Sequence, residues 1–154
     1  MGFMVVLSTI KKRWIVTHIE KKLWQAYEST DYWVYTPTVS FCIKTGQRCY
    51  ELEKLLRLHQ ESSWVFISAF NPQSQKISIE ENIERHHQLI NHCEKAGYIF
   101  FEGEGVDREK KWEPEKSLLV LGIDKLRAIK TGQKFQQKAV VYGIPRQKAH
   151  LVAC

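Results

Sequence analysis

Ser63-Trp64-Val65-Phe66-Ile67-Ser68-Ala69-Phe70-Asn71-Pro72-Gln73-Ser74-Gln75-Lys76-Ile77-Ser78-Ile79-Glu80-Glu81-Asn82 encodes a strand, its stop and the start of a helix in immediate succession. Trp64 to Phe70 is an almost unbroken apolar run, rich in aromatic and β-branched residues and only as long as a strand. That composition predicts a central strand covered on both faces. Asn71-Pro72 stops it, because Pro72 donates no ladder hydrogen bond and its ring drives Asn71 out of helical geometry. Ser78, with Glu81 three residues on, has the spacing of a capping box, so a helix is expected to begin at Ile79. The turn between strand and helix presents Asn71, Gln73, Ser74 and Gln75 beside a helix N-terminus.

Downstream, Ile79 to Ala96 reads as an amphipathic helix ended by Gly97, with Ile79, Ile83, Ile90 and Cys93 as its buried stripe. Tyr98 to Phe101 is then a strand entering an acidic, glycine-bearing loop that runs from Glu102 to Glu115. Ser117 to Ile123 is a second buried strand, Asp124 caps a short helix to about Phe135, and Ala139 to Tyr142 is the last strand. Upstream, Ile19, Leu23, Ala26 and Tyr27 share one face of a helix over residues 18–29. Asp31 to Tyr35 and Val39 to Ile43 form an antiparallel pair about Thr36-Pro37-Thr38, and Tyr50 to His59 is a helix with Leu52, Leu55, Leu56 and Leu58 on its apolar side.

This order predicts one α/β domain, with α+β as the alternative, built on a mixed sheet of about five to six strands with helices packed on it. Helical crossovers after Phe70 and Ile123 are expected to join parallel neighbours. Residues 1–17 are expected to form an N-terminal arm or strand, 18–145 the domain, and 146–154 a C-terminal tail.

A length of 154 residues with 44% hydrophobic composition suits one domain with a substantial core. The net charge of +6 is spread over short groups such as Lys11-Lys12-Arg13, Lys21-Lys22 and Arg146-Gln147-Lys148. Scattered charge neutralises few phosphates together, which argues against nucleic acid as the main partner. Cys42, Cys49, Cys93 and Cys154 form no C-x-x-C pair, and a reduced cytoplasmic protein without disulfides is expected. Met1 to Leu7 is apolar but lacks the flanks of a signal peptide, Val6 stands where myristoylation favours Ser or Thr, and no run approaches a membrane span.

Several motifs together resemble an uncharacterised bacterial family, the domain of unknown function numbered thirty-two ninety-three. They are Tyr27-x-x-Thr30, Ala69-Phe70-Asn71-Pro72-x-Ser74, Asn82 with Leu89, Gly103-x-Gly105, Trp112 with Glu113 or Glu115 and Ser117, and Phe135-x-Gln137-x-Ala139, spanning residues 27–143. The chain departs from the family at Gln136, where glycine is usual. The resemblance implies a bacterial, single-domain protein whose recurring polar residues gather at loops, and it implies no activity.

Asn71, Ser74 and Asn82 surround one strand-to-helix turn, where unpaired N–H groups and the helix dipole favour an anion or a carbonyl oxygen. The plainer alternative is that Asn71 closes the turn with its own side chain. Glu102, Glu104, Asp107, Glu113 and Glu115 supply oxygen enough for a cation, but their spacing is not that of an EF-hand, and Arg108, Lys110 and Lys111 interrupt them. A solvated loop is the favoured reading there. His86 and Cys93, seven apart, make at most half a metal site, so neither a metal nor a cofactor is expected. No nucleophile elbow, P-loop or dinucleotide fingerprint occurs. The expected site is therefore Asn71, Ser74, Asn82, Glu113, Ser117 and Gln137, converging on one cleft that binds a small polar or anionic ligand or a partner's polar motif. A protein-interaction or regulatory module without catalysis is the second reading, and nucleic-acid binding, on the aromatics and basic groups, is the third.

Overall fold

In the structure, a computed structural model that describes residues 21–154, helical residues 21–28 (α1) lead into a single α+β domain. The elements that follow are β1 (Thr30–Tyr35), β2 (Ser40–Ile43), α2 (Tyr50–His59), β3 (Trp64–Ser68), α3 (Ile79–Ala96), β4 (Ile99–Asp107), β5 (Glu115–Leu121), α4 (Lys125–Lys134), β6 (Ala139–Gly143) and β7 (His150–Ala153). A one-turn 3-10 segment, Pro72–Ser74, lies between β3 and α3. The arm expected over residues 1–17 lies outside the described residues.

The seven strands form one sheet in the order β2-β1-β4-β5-β3-β6-β7, and every neighbouring pair is antiparallel. The expectation of a mixed sheet is corrected by this, and so is the lower strand count. The helical crossovers do join parallel strands, but not neighbours. β5 hairpins back from β4 into the gap beside β3, so β3-α3-β4 straddles β5, and β5-α4-β6 straddles β3 in the same way. Two interlocked split crossovers thus give an antiparallel sheet from a helix-alternating sequence. β7, within the expected tail, is a four-residue edge strand with one buried residue, Val152, too little apolar signal to mark it in advance.

Alternation along the strands divides the core in two. Val65, Ile67, Leu118, Val120, Val140 and Tyr142 face α3 and α4. Trp64, Phe66, Leu119, Leu121, Tyr32, Val34 and Val141 face the opposite side, where Leu52 and Leu56 of α2 cover part of the sheet. β3 is buried along Trp64 to Ile67, as its apolar run requires of a strand flanked on both edges. The capping box at Ser78 is formed, with the Ser78 hydroxyl accepting from the Glu81 N–H, and Gly97 ends α3 at φ 75°.

The buried stripe of α3 differs from the expected one. It runs Asn82, His86, Leu89 and Cys93, whereas Ile79 is 59% exposed. Two polar residues occupy core positions because each has a specific partner, which hydrophobicity alone does not register. The acidic loop is corrected as well: residues 102–107, Gly103 and Gly105 among them, continue β4. A Cβ at Gly103 would meet the Trp33 carbonyl oxygen of β1, so a side chain there is excluded by the neighbouring backbone.

Candidate functional site

Beyond Ser68 the chain turns sharply, held by the Ser68 hydroxyl, which donates to the Lys116 carbonyl at 2.7 Å and accepts from the Phe70 N–H at 3.0 Å. Asn71, Gln73 and Ser74 then take left-handed φ values of 47°, 55° and 57°. Such geometry costs a non-glycine residue about 1–2 kcal/mol, and Asn tolerates it best. Asn71 offsets the cost with its side chain. Its Oδ1 accepts from Asn82 Nδ2 at 2.9 Å and from the Ile77 N–H at 3.3 Å, while its own N–H donates to Asn82 Oδ1 at 2.7 Å. Asn82 is therefore a buried partner of the turn, fixed by two hydrogen bonds with Asn71.

The second wall is tied to the first. Asn71 Nδ2 donates to Glu115 Oε1 at 2.7 Å, at the first residue of β5. The Ser117 hydroxyl donates to the Glu115 carbonyl at 3.0 Å. Gln137 Nε2 donates to the carbonyls of Phe70 at 3.1 Å and Phe135 at 3.2 Å. Arg85 of α3 bridges the same two loops, donating to the Ala69, Phe135 and Gln136 oxygens. Gln136, where the resembled family usually has glycine, stands at φ 57° and its carbonyl accepts from the Gln73 N–H at 2.7 Å. The backbone geometry there explains the glycine preference, and glutamine retains it at some strain.

These loops enclose a cleft of about 500 Å³ on the sheet face shared with α1. All six residues expected to meet, Asn71, Ser74, Asn82, Glu113, Ser117 and Gln137, line it. Asn82 and Ser117 are buried in its floor, Asn71 and Gln137 are half-buried, and Ser74 and Glu113 are exposed at its rim. Of the two glutamates left open by the sequence, Glu115 is the half-buried one that bonds to Asn71. Apolar walls come from Leu23, Tyr27, Phe66, Phe70, Ile77 and Trp112.

Burial against those walls pushes the Glu115 carboxyl up from its ordinary pKa, and the hydrogen bond from Asn71 offsets only part of the rise. Burial likewise raises the Tyr27 phenol, whose hydroxyl lies 2.5 Å from Ser74 Oγ and links α1 to the turn. The N-terminus of α3 is self-capped, because Ser78 and Glu81 take up its donors and place a carboxylate there. Positive charge at the rim comes instead from Lys76, Lys110 and Lys111, the last of which pairs with Glu109 at 2.6 Å.

Four of the five carboxylates read as one acidic loop serve separate partners, Glu115 with Asn71 among them. Glu102 pairs with His86 Nε2 at 2.9 Å, Glu104 accepts from the Tyr35 hydroxyl at 2.6 Å, and buried Asp107 accepts from the Glu109 and Lys111 N–H groups to close the β4–β5 turn. Among the described residues no three His, Cys, Asp or Glu side chains gather in a metal-holding group. His86, 2% exposed, packs edge-on to Phe70 and its Nδ1 has no partner among the described residues. Cys93 lies in the apolar core beneath α3.

Contributors to the cleft absent from the expected set include Tyr27, Lys76, Lys110 and Trp112. Tyr27 and Trp112 belonged to the resembling motifs, and that was their only signal. The lysines carried none, since a surface lysine beside a loop is the commonest of residues. Among the described residues no helix is long and apolar enough to cross a membrane. No curated protein and no solved structure matches the chain. Residues 67–140, which supply both polar walls of the cleft, match the family described as Protein of unknown function (DUF3293).

Proposed function

We propose that the protein binds a small ligand with an apolar body and a polar or anionic end in the cleft between the Asn71 turn and Glu115. One observation carries this reading: polar residues far apart in sequence converge on one apolar-walled cavity of about 500 Å³, within the range of small-molecule pockets. Residues needed only for local turns have no cause to meet. Left-handed backbone at Asn71, Gln73 and Ser74 adds support, because strain of this kind collects where a loop is held for a purpose beyond folding. Lys76 and Lys110 at the rim favour an anionic group at the ligand's outer end.

The test is a thermal-shift screen of small polar compounds on the wild type and on Gly105→Leu. Gly105 lines the cleft, and a Cβ there would meet only Thr30 and Tyr32 side-chain atoms at 3.6 Å and beyond, so a side chain started there is expected to occupy part of the cavity. A compound that raises the Tm of the wild type and not of the folded variant supports the site. Equal shifts in both refute it.

An interaction module is the second reading, favoured by Tyr50 and Leu58, 65% and 76% exposed on α2. Lys54 lies over the Tyr50 ring at 5.4 Å and divides them. Isolated exposed apolar residues are ordinary on a protein surface, which ranks this reading below the cleft.

A further inference from the structure

The end of the cleft at Glu115 has unused hydrogen-bond acceptors on residues that line it. Glu115 Oε1 accepts from Asn71, which leaves Oε2 without a protein donor among the described residues. Gln137 uses its amide nitrogen on two carbonyls, Phe70 and Phe135, and that fixes the orientation of the amide and leaves Oε1 unpaired among the described residues. The Ser117 proton goes to the Glu115 carbonyl, so Ser117 Oγ keeps its lone pairs. Neither Glu115 nor Gln137 has a sealed orphan oxygen, since His86 Nδ1 is the one fully buried side-chain atom without a partner among the described residues. Both oxygens are therefore open to whatever enters. The opposing donors are few: one proton remains on each amide of Asn71 and Asn82, while Asn71 Oδ1 already accepts twice.

We propose that this end of the cleft receives an ammonium group seated on Glu115 Oε2, with Gln137 Oε1 and Ser117 Oγ as further acceptors, so that the ligand is a small primary amine with an apolar body. The inference rests on the cleft being the binding site, and it names the chemistry of the buried end. An ammonium brings three donors and no acceptor, the complement of what the floor leaves open. It also brings the charge that a carboxylate half-buried among Tyr27, Phe70 and Trp112 lacks, and aromatic faces attract cations. An anionic group at the far end of such an amine meets Lys76 and Lys110, opposed at the rim by Glu113.

Three near-isosteric probes separate the possibilities: 2-phenylethylamine, 2-phenylethanol and 3-phenylpropanoate, each titrated into the full chain and followed by amide nitrogen–proton correlation spectra. The proposal expects the amine to shift the Asn71, Glu115 and Gln137 amides with affinity at least about tenfold above the other two, the worth of one charge-assisted hydrogen bond. Glu115→Gln, which keeps an acceptor for Asn71 and removes the charge, is expected to lower the amine's affinity by about tenfold or more. If the alcohol binds as well as the amine, or Glu115→Gln leaves amine binding unchanged, the ammonium assignment is overturned while the cleft remains the site. If none of the three moves a cleft amide, the assignment and the binding reading fall together.

Discussion

Asn71 and Glu115, 44 positions apart, are joined by a 2.7 Å hydrogen bond from the amide of one to the carboxyl of the other. The same Asn71 side chain holds its own turn through Oδ1. The two roles weighed for Asn71 in the sequence, turn closure and site, are thus carried by different atoms of one group: Oδ1 fixes the loop and Nδ2 aims Glu115.

Asn71→Ala removes three hydrogen bonds, leaves Asn82 and Glu115 short of partners, and keeps a Cβ at φ 47°. The expected loss is about 2–3 kcal/mol of unfolding free energy. Asn71→Gly loses the same bonds but relaxes the backbone, so it is expected to be more stable than the alanine variant by about 1 kcal/mol. Urea denaturation of both measures the difference, and an alanine variant at least as stable as glycine contradicts the backbone account.

Glu115 gives a pH signature. Burial raises its pKa in the folded state, so the folded chain holds the proton more tightly than the unfolded chain does. Between the ordinary and the raised pKa the native state binds more protons, and unfolding free energy falls as pH rises. The favourable contribution is complete below the ordinary pKa and lost as pH climbs through the raised one. Glu115→Gln mimics the protonated form and cannot lose it. Its Tm relative to wild type is therefore expected to increase from acid toward neutral pH, whereas parallel Tm curves contradict the burial argument.

Gly103→Ala is expected to cost about 1–3 kcal/mol, because the new methyl lands on the Trp33 carbonyl and the Phe66 ring. Gly105→Ala meets only ordinary contacts and is expected to be milder. Thermal melts of the pair check the ranking, and the reverse order contradicts the register of β1 against β4.

At Gln136, φ 57° makes glycine the better backbone fit. Gln136→Gly is expected to retain wild-type stability or gain up to about 1 kcal/mol, and Gln136→Val to lose more than about 1 kcal/mol, since a β-branched residue resists left-handed geometry. A valine variant as stable as glycine contradicts the conformation of this turn.

Local signals in the sequence were read well and long-range ones poorly. The β3 run, the Ser78 capping box and the Gly97 stop are written in neighbouring residues, and the structure has all three. The sheet order depends on β5 displacing β4 from beside β3, a competition between a hairpin and a helical crossover that no local pattern encodes. The face of α3 was read in part: Cys93 is buried and Ile90 packs on the core, but Asn82 and His86 reach the interior only through Asn71 and Glu102, partners 11 and 16 positions away. The six polar residues were assembled from the turn and from family resemblance, and their meeting depends on β5 returning past the end of β3, where Ser117 pairs with Ser68. Tyr27 was reachable by the same resemblance; Lys76 and Lys110 were not.

The most direct test of the cleft as the functional surface is hydrogen–deuterium exchange on the wild type, with and without a compound that stabilises it in the thermal-shift screen. The account predicts protection in residues 71–77, 110–117 and 135–139, the segments that line the cleft, with α2 unchanged. Protection confined to α2 around Tyr50 and Leu58, with the Asn71 turn exchanging as before, contradicts it and transfers the function to that surface.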